Sequence, residues 1–190
     1  MKYVLPILAL TFTLVLNGCT TLVDATTREP INPDPTQRSL GTYIDDKRLQ
    51  IIVAVNIRKA HPELKQSHIN VTSFNGVILL TGQVPNPQLR LLAAQTAKSV
   101  STVRQVHNEL EIKGNIPFVA RTNDTWLGTK IKAVLIADKY VSGLKIKVVV
   151  EDSTAYLMGL ISQKQADRAT NLVRNVSGVK EVVRVFEYNN

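Results

Sequence analysis

The chain has 190 residues, 44% of them hydrophobic and 20% charged, with a formal net charge of +8. That apolar content supports folded cores, and the length suits one ordinary domain or two small ones. A single cysteine excludes an intrachain disulfide, and no run of Lys/Arg forms the polybasic patch of a nucleic-acid binder.

The N-terminal segment reads as a leader rather than as part of a fold. Lys2 precedes an apolar stretch from Val4 to Leu16, which ends in Gly18-Cys19. This is the layout of a secretory signal. The stretch is interrupted by Pro6 and is shorter than the roughly 20 residues that span a bilayer. Leu16, Gly18 and Cys19 resemble the lipobox of bacterial lipoproteins. The resemblance implies cleavage before Cys19, removal of residues 1–18, and acylation of the cysteine with fatty acids such as palmitate. Thr20, where an Asp would retain the protein at the inner membrane, implies outer-membrane sorting with the body facing the periplasm. Export makes nucleic acid the least expected partner. Residues 19–43 then read as a lipidated flexible tail, with Pro30, Pro33 and Pro35 favouring extended backbone.

The remainder is an internal repeat, offset by roughly 77 residues, longer than a solenoid unit. Asp46…Leu49…Val53 aligns with Asp124…Leu127…Ile131, and Ile69-Asn70-Val71 with Ile146-Lys147-Val148. The segments 77–84 and 154–161 align, as do 100–106 and 176–182. Two tandem domains follow, 44–112 and 123–190, joined by a linker at 113–122.

Each copy carries the same elements in order. Residues 45–59 and 124–138 place Leu49, Val53 and Ile57, or Leu127, Ile131 and Leu135, at helical spacing. Asp45-Asp46 stands where a helix N-terminus is capped, and His61-Pro62 reads as a helix stop. Strands are expected at 68–73 and 77–83, joined by an Asn75-Gly76 hairpin turn. Their counterparts are 144–150 and 154–161, joined at Asp152-Ser153. Helices at 88–100 and 164–176 and final strands at 105–112 and 181–188 complete each copy. The fold class is α+β, each copy α-β-β-α-β, with a small three-stranded mixed sheet packed on two helices. Gly82 and Gly159 recur inside a strand, where a missing side chain signals close backbone approach or a bulge. Gly178 turns the chain into the last strand.

The strand-glycine segments 77–84 and 156–161 and the segments 100–106 and 176–182 resemble the BON domain of bacterial envelope and osmotic-stress proteins. A lipobox followed by two such repeats resembles the dual BON-domain outer-membrane lipoproteins. Arg38-Ser39-Leu40-Gly41, Asn123-Asp124-Thr125-Trp126 and Tyr156-Leu157-Met158-Gly159-Leu160 look like their lipid-binding members. The resemblance implies binding of anionic phospholipids (phosphatidylglycerol, cardiolipin) through the second domain. It also implies recruitment to cell-division sites and a role in envelope integrity and stress.

No enzyme signature stands out. His61, His68 and His107 lack metal-ligand spacing, and neither a metal nor another cofactor is expected. The helix at 124–138 is the candidate site. Its core face is Leu127, Ile131, Val134 and Leu135. Trp126, Thr129, Lys130, Ala133, Ile136 and Ala137 fall elsewhere, with Tyr140 joining them if the helix continues. Trp and Lys together suit a bilayer interface, with Lys130 and Lys132 as phosphate contacts and Lys139 as a third. The corresponding face of the first copy holds Arg48, Ile51, Ile52, Val55, Arg58 and Lys59, without a Trp. The same apolar face also suits packing against the other domain or the linker (Ile116, Phe118, Val119), or a periplasmic adaptor role toward envelope proteins.

Overall fold

The computed structural model describes residues 39–114 and 118–189. The leader, Cys19 and most of the tail therefore lie outside the described residues, as do the linker side chains of Ile116, Phe118 and Val119. Residues 36–190 form one compact unit.

The first copy opens with α1 (Leu40–Ala60), earlier than the tail boundary at 43 expected from sequence. The reason is a cap: the Ser39 hydroxyl accepts the Thr42 N–H at 3.0 Å, which satisfies one of the orphan donors of the first turn. His61 ends α1 and its ring caps a short helix, α2 (Pro62–Gln66). Then come β1 (His68–Phe74), β2 (Val77–Val84), α3 (Pro87–Lys98) and β3 (Gln105–Ile112). β2 is central, antiparallel to β1 and parallel to β3.

The second copy repeats the plan with α4 (Phe118–Ala137), β4 (Lys147–Glu151), β5 (Thr154–Ile161), α5 (Gln163–Arg174) and β6 (Glu181–Tyr188). Here β5 is central, antiparallel to β4 and parallel to β6. α4 starts inside the expected linker, so less chain separates the copies than the sequence suggested. The strand expected from 144 also begins later, because Gly143–Lys145 is a turn of 3-10 helix. Gly143 presses so closely on the Leu135 carbonyl that a Cβ there would collide with it.

Each sheet uses its two faces differently. Ile78, Leu80 and Val84 of β2 point to a core shared with Leu49, Val53 and Ile57 of α1 and Ala93 and Ala97 of α3. Leu157 and Ile161 of β5 do the same against Leu127, Ile131 and Leu135 of α4 and Ala166, Ala169 and Val173 of α5. The alternate residues form a third cluster. Phe74, Val77 and Leu79 of one sheet meet Tyr156, Met158 and Val185 of the other. The two domains thus pack sheet to sheet, and β2 is buried on both faces.

Asp46 corrects the expectation of a cap, and Asp124 takes the same place in the second copy. Both lie inside their helices and are buried. The Asp46 carboxylate accepts the Ser73 hydroxyl at 2.6 Å, the Asn75 N–H at 2.8 Å and the Gly76 N–H at 3.0 Å. Asp124 accepts the Asp152 and Ser153 N–H groups at 2.8 and 2.9 Å. Each acid clips a helix to the hairpin turn of its own copy. Both turn residues have positive φ in each hairpin (50° and 74° at Asn75-Gly76, 48° and 67° at Asp152-Ser153). That geometry matches the twist of the flanking strands. At Gly82 the reason for glycine is close approach, not a bulge: the β1–β2 register is unbroken. Its φ is 115°, and a Cβ would strike the His68 carbonyl.

Asp124→Ala removes two charge-assisted hydrogen bonds from a turn that needs left-handed backbone at two non-glycine residues. We expect a loss of about 2–3 kcal/mol in urea denaturation, against almost none for Lys164→Ala at an exposed position of α5.

Candidate functional site: the first helix of the second domain

α4 lays Leu127, Ile131 and Leu135 into the second core. Its other side faces outward. Trp126 is 62% exposed, Ile136 49%, and Thr129, Ala133 and Ala137 are also exposed. Trp126, Lys130, Ala133 and Ala137 recur at helical spacing and share one stripe. The Lys130 ammonium sits 5.2 Å from the Trp126 ring centroid, and its Nζ donates to the Ser177 carbonyl at 3.3 Å. Among the described residues, no helix is long and apolar enough to cross a membrane.

Past the helix end, the exposed Tyr140 and Leu144 (59% and 80%) extend the apolar surface. Tyr140 does not continue the helix. Its N–H is taken by Asp138 Oδ1 at 2.9 Å. Its ring lies under two cations, Arg168 at 4.6 Å and Lys139 at 4.8 Å. Arg168 makes a two-pronged pair with Asp138 at 2.8 and 2.7 Å. That pairing holds the Asp138 carboxyl at about 2, below its ordinary 3.8. The local acid is therefore neutralised by a partner, while Lys130, Lys139 and Arg168 lie against the two rings.

Lys132 departs from the expected role. It points along the helix end, and its Nζ donates to the Gly143 carbonyl at 2.8 Å and the Ile146 carbonyl at 2.5 Å. Partial burial lowers its pKa. Its first task is to hold the 3-10 turn, which leaves Lys130 and Lys139 nearer the exposed rings. The sequence reasoning missed Leu144, because its segment was read as strand. The Ser142-Gly143 pair was the available signal: a glycine next to a serine immediately before the presumed strand marks a turn that can run on past the expected strand start.

The first copy is less bare than the sequence comparison suggested. α1 exposes Leu40, Tyr43, Ile44 and Ile51. The two helices differ in the indole, and in the Tyr140 and Leu144 extension that only the second copy carries.

On the other flank of α4 lies a groove of about 780 Å³, between α4, β4 and β1 of the first domain. Glu151 sits at its edge, buried. Its carboxylate accepts Gln83 Nε2 at 2.8 Å and Asn70 Nδ2 at 2.9 Å, with His68 Nε2 at 3.5 Å. Lys147 Nζ crosses to the Ser73 carbonyl at 3.1 Å. These bonds join the domains beside the groove. No cluster of three or more metal-ligating side chains occurs among the described residues. Gly159, in β5, comes within 3.0 Å of the Lys145 carbonyl at its Cβ position. Gly178 precedes β6 with φ 103° and lies against Leu127.

The BON domain family matches residues 45–114 and 123–190, the two copies just described. The chain belongs to the BON-domain family and carries two copies of its domain. It is similar to the outer membrane lipoprotein DolP of Haemophilus influenzae, at 35% identity over 93% of this chain and 91% of that one. The 21 kDa hemolysin of Actinobacillus pleuropneumoniae is also 35% identical, over 84% of this chain and 80% of its own. The osmotically-inducible protein Y of Escherichia coli is 30% identical, over 78% of this chain and 75% of its own.

Because the folded-state pKa of Asp138 is lowered, its pairing with Arg168 favours the folded chain above pH 3.8 and is lost as pH falls through about 2. We expect the Asp138 carboxyl, followed by NMR titration, to show a midpoint near 2, and Arg168→Gln to return it toward 3.8.

Proposed function

We propose that this chain is an outer-membrane lipoprotein that binds anionic phospholipids through the outward side of α4. Its body faces the periplasm, supports envelope integrity and gathers at cell-division sites. The observation that carries the reading is the exposed Trp126–Lys130 pair, continued by Ala133, Ile136 and Ala137. An indole with a cation at its face suits the depth where headgroups meet acyl chains. Exposed Tyr140 and Leu144 enlarge the apolar contact, and Lys130 and Lys139 supply positive charge, while Arg168 offsets Asp138. The similarity to an outer membrane lipoprotein over most of both chains supports the location. The Cys19 lipobox supports the anchor.

The exposure of Trp126 bears on the competing occupant. An indole that packed against the first domain would be covered by it, yet 62% of Trp126 faces outward among the described residues. The adaptor reading uses the same face for a protein, and the lipid experiment separates the two.

Trp126→Glu places a charge where the indole would enter the interface. We expect it to abolish co-sedimentation of residues 36–190 with phosphatidylglycerol or cardiolipin vesicles, with its melting temperature close to that of the parent. In the parent, Trp fluorescence should shift to the blue on titration with those vesicles and stay fixed with neutral ones. Unchanged sedimentation of the variant would refute the assignment. Separately, Cys19→Ser should eliminate metabolic labelling by palmitate and release the protein from the membrane fraction.

A further inference from the structure

α1 carries a second amphipathic surface, which the lipid reading of α4 leaves unused. Leu40, Ile44 and Ile51 are 84%, 63% and 65% exposed. At 100° per residue they fall within about 40° of one another, on the side away from Leu49, Val53 and Ile57. Lys47 and Arg58 fall on the same stripe, with Arg48 and Lys59 beside it, and all four are exposed. Among the described residues none of the four is held in an ion pair. Asp45 is the one exposed acid of α1, because Asp46 is buried in its hairpin clip. The Lys47 ammonium lies 5.7 Å from the Tyr43 ring centroid, four residues away, as Lys130 lies against Trp126.

The layers of the fold set where this stripe points. α1 covers one face of the first sheet through Ile78 and Leu80. The other face, with Val77 and Leu79, meets Tyr156 and Met158 of the second sheet. The far face of that sheet, with Leu157 and Ile161, carries α4. α1 and α4 therefore lie outside opposite sheets, and one flat bilayer does not reach both outward sides. Charge selects the occupant. A second copy would set Lys47, Arg48, Arg58 and Lys59 against their own like. An anionic bilayer complements them, and it takes up aliphatic side chains while the cations snorkel to its phosphates. The chain before α1 points the same way. Residues 20–38 join Cys19 to the start of α1 and span at most roughly 60 Å, so an acylated Cys19 brings a bilayer to this end of the stripe.

We propose that the body is a two-sided membrane binder: α4 holds one anionic bilayer surface, and α1 holds the apposed surface of a second. This rests on the lipid reading of α4 and adds a face to it. The α1 contact is the weaker of the two, because it has neither an indole nor an extension like Tyr140 and Leu144. A single α1 does not retain the protein on a vesicle. Many copies held side by side through α4 retain a second vesicle together, by multivalency. Loss of Trp126 therefore removes all binding, whereas loss of the α1 stripe removes only the bridge.

The test uses residues 36–190, a compact unit that contains all three apolar clusters. Dense phosphatidylglycerol vesicles are coated with it, washed, mixed with protein-free fluorescent vesicles and sedimented at low speed. The parent should capture protein-free phosphatidylglycerol vesicles and leave neutral phosphatidylcholine vesicles in solution. Ile51→Glu should coat as the parent does, with its melting temperature unchanged, and lose capture by about tenfold or more. Lys47→Glu combined with Arg48→Glu should do the same. Trp126→Glu should neither coat nor capture. Failure of the parent's coat to capture protein-free vesicles, or parent-like capture by Ile51→Glu, would overturn the second face and leave α4 standing. Capture confined to vesicles that are themselves coated would also overturn it, because α1 would then pair copies of the chain. Coating that survives Trp126→Glu and is lost in Ile51→Glu would move the lipid contact from α4 to α1 and end the two-sided reading. If the parent coated no vesicle, the second face and the lipid reading would fall together.

Discussion

The structure depends on what covers the second face of each sheet. A three-stranded sheet with helices on one side leaves its other side to water unless something packs there. In this chain the something is the other copy. Phe74, Val77 and Leu79 close against Tyr156, Met158 and Val185, so the domains are halves of one sandwich of sheets with helices outside. Burial pushes the Tyr156 phenol upward, and the nearby glutamates Glu109, Glu111, Glu151 and Glu181 add to it, so that side chain serves the seam as a neutral aromatic.

The seam is apolar at its centre and polar at its rim. Gln83 and Asn70 reach Glu151, Lys147 reaches Ser73, Lys113 pairs with Asp152 at 2.5 Å, and Arg104 pairs with Glu187 at 2.7 Å. The exposed pairs contribute little energy individually, yet they set orientation. Glu151 is different, because a buried carboxylate must keep its donors or leave the interior. Its bonds hold β1 of the first domain beside α4 of the second. Sheet-to-sheet packing thereby turns the helices outward and creates the groove at the junction.

Duplication and divergence explain the division of labour between the copies. Each keeps its hairpin clip, Asp46 or Asp124, and its close-approach glycine, Gly82 or Gly159. These positions serve the fold, and a change at either would disturb backbone hydrogen bonds. The outward positions of the helices are free of that constraint, and there Arg48 faces Trp126 and Gln50 faces Gly128 across the alignment.

The sequence alone determined the repeat, the order of elements and the core faces, because period 3.6, period 2 and the Asn75-Gly76 turn are local signals. It also marked the outward stripe of α4. The sandwich was half legible: Val77–Leu80 and Ala155–Met158 are continuous apolar runs, which suit strands buried on both faces. What lay out of reach was any fact set by atoms distant along the chain. The engagement of Lys132 with Gly143 and Ile146 depends on the path of a loop. The clips at Asp46 and Asp124 depend on a turn about 30 residues away. The groove exists only where two domains meet. Periodicity encodes which side of a helix faces its own core; only tertiary packing decides what stands beside the other side.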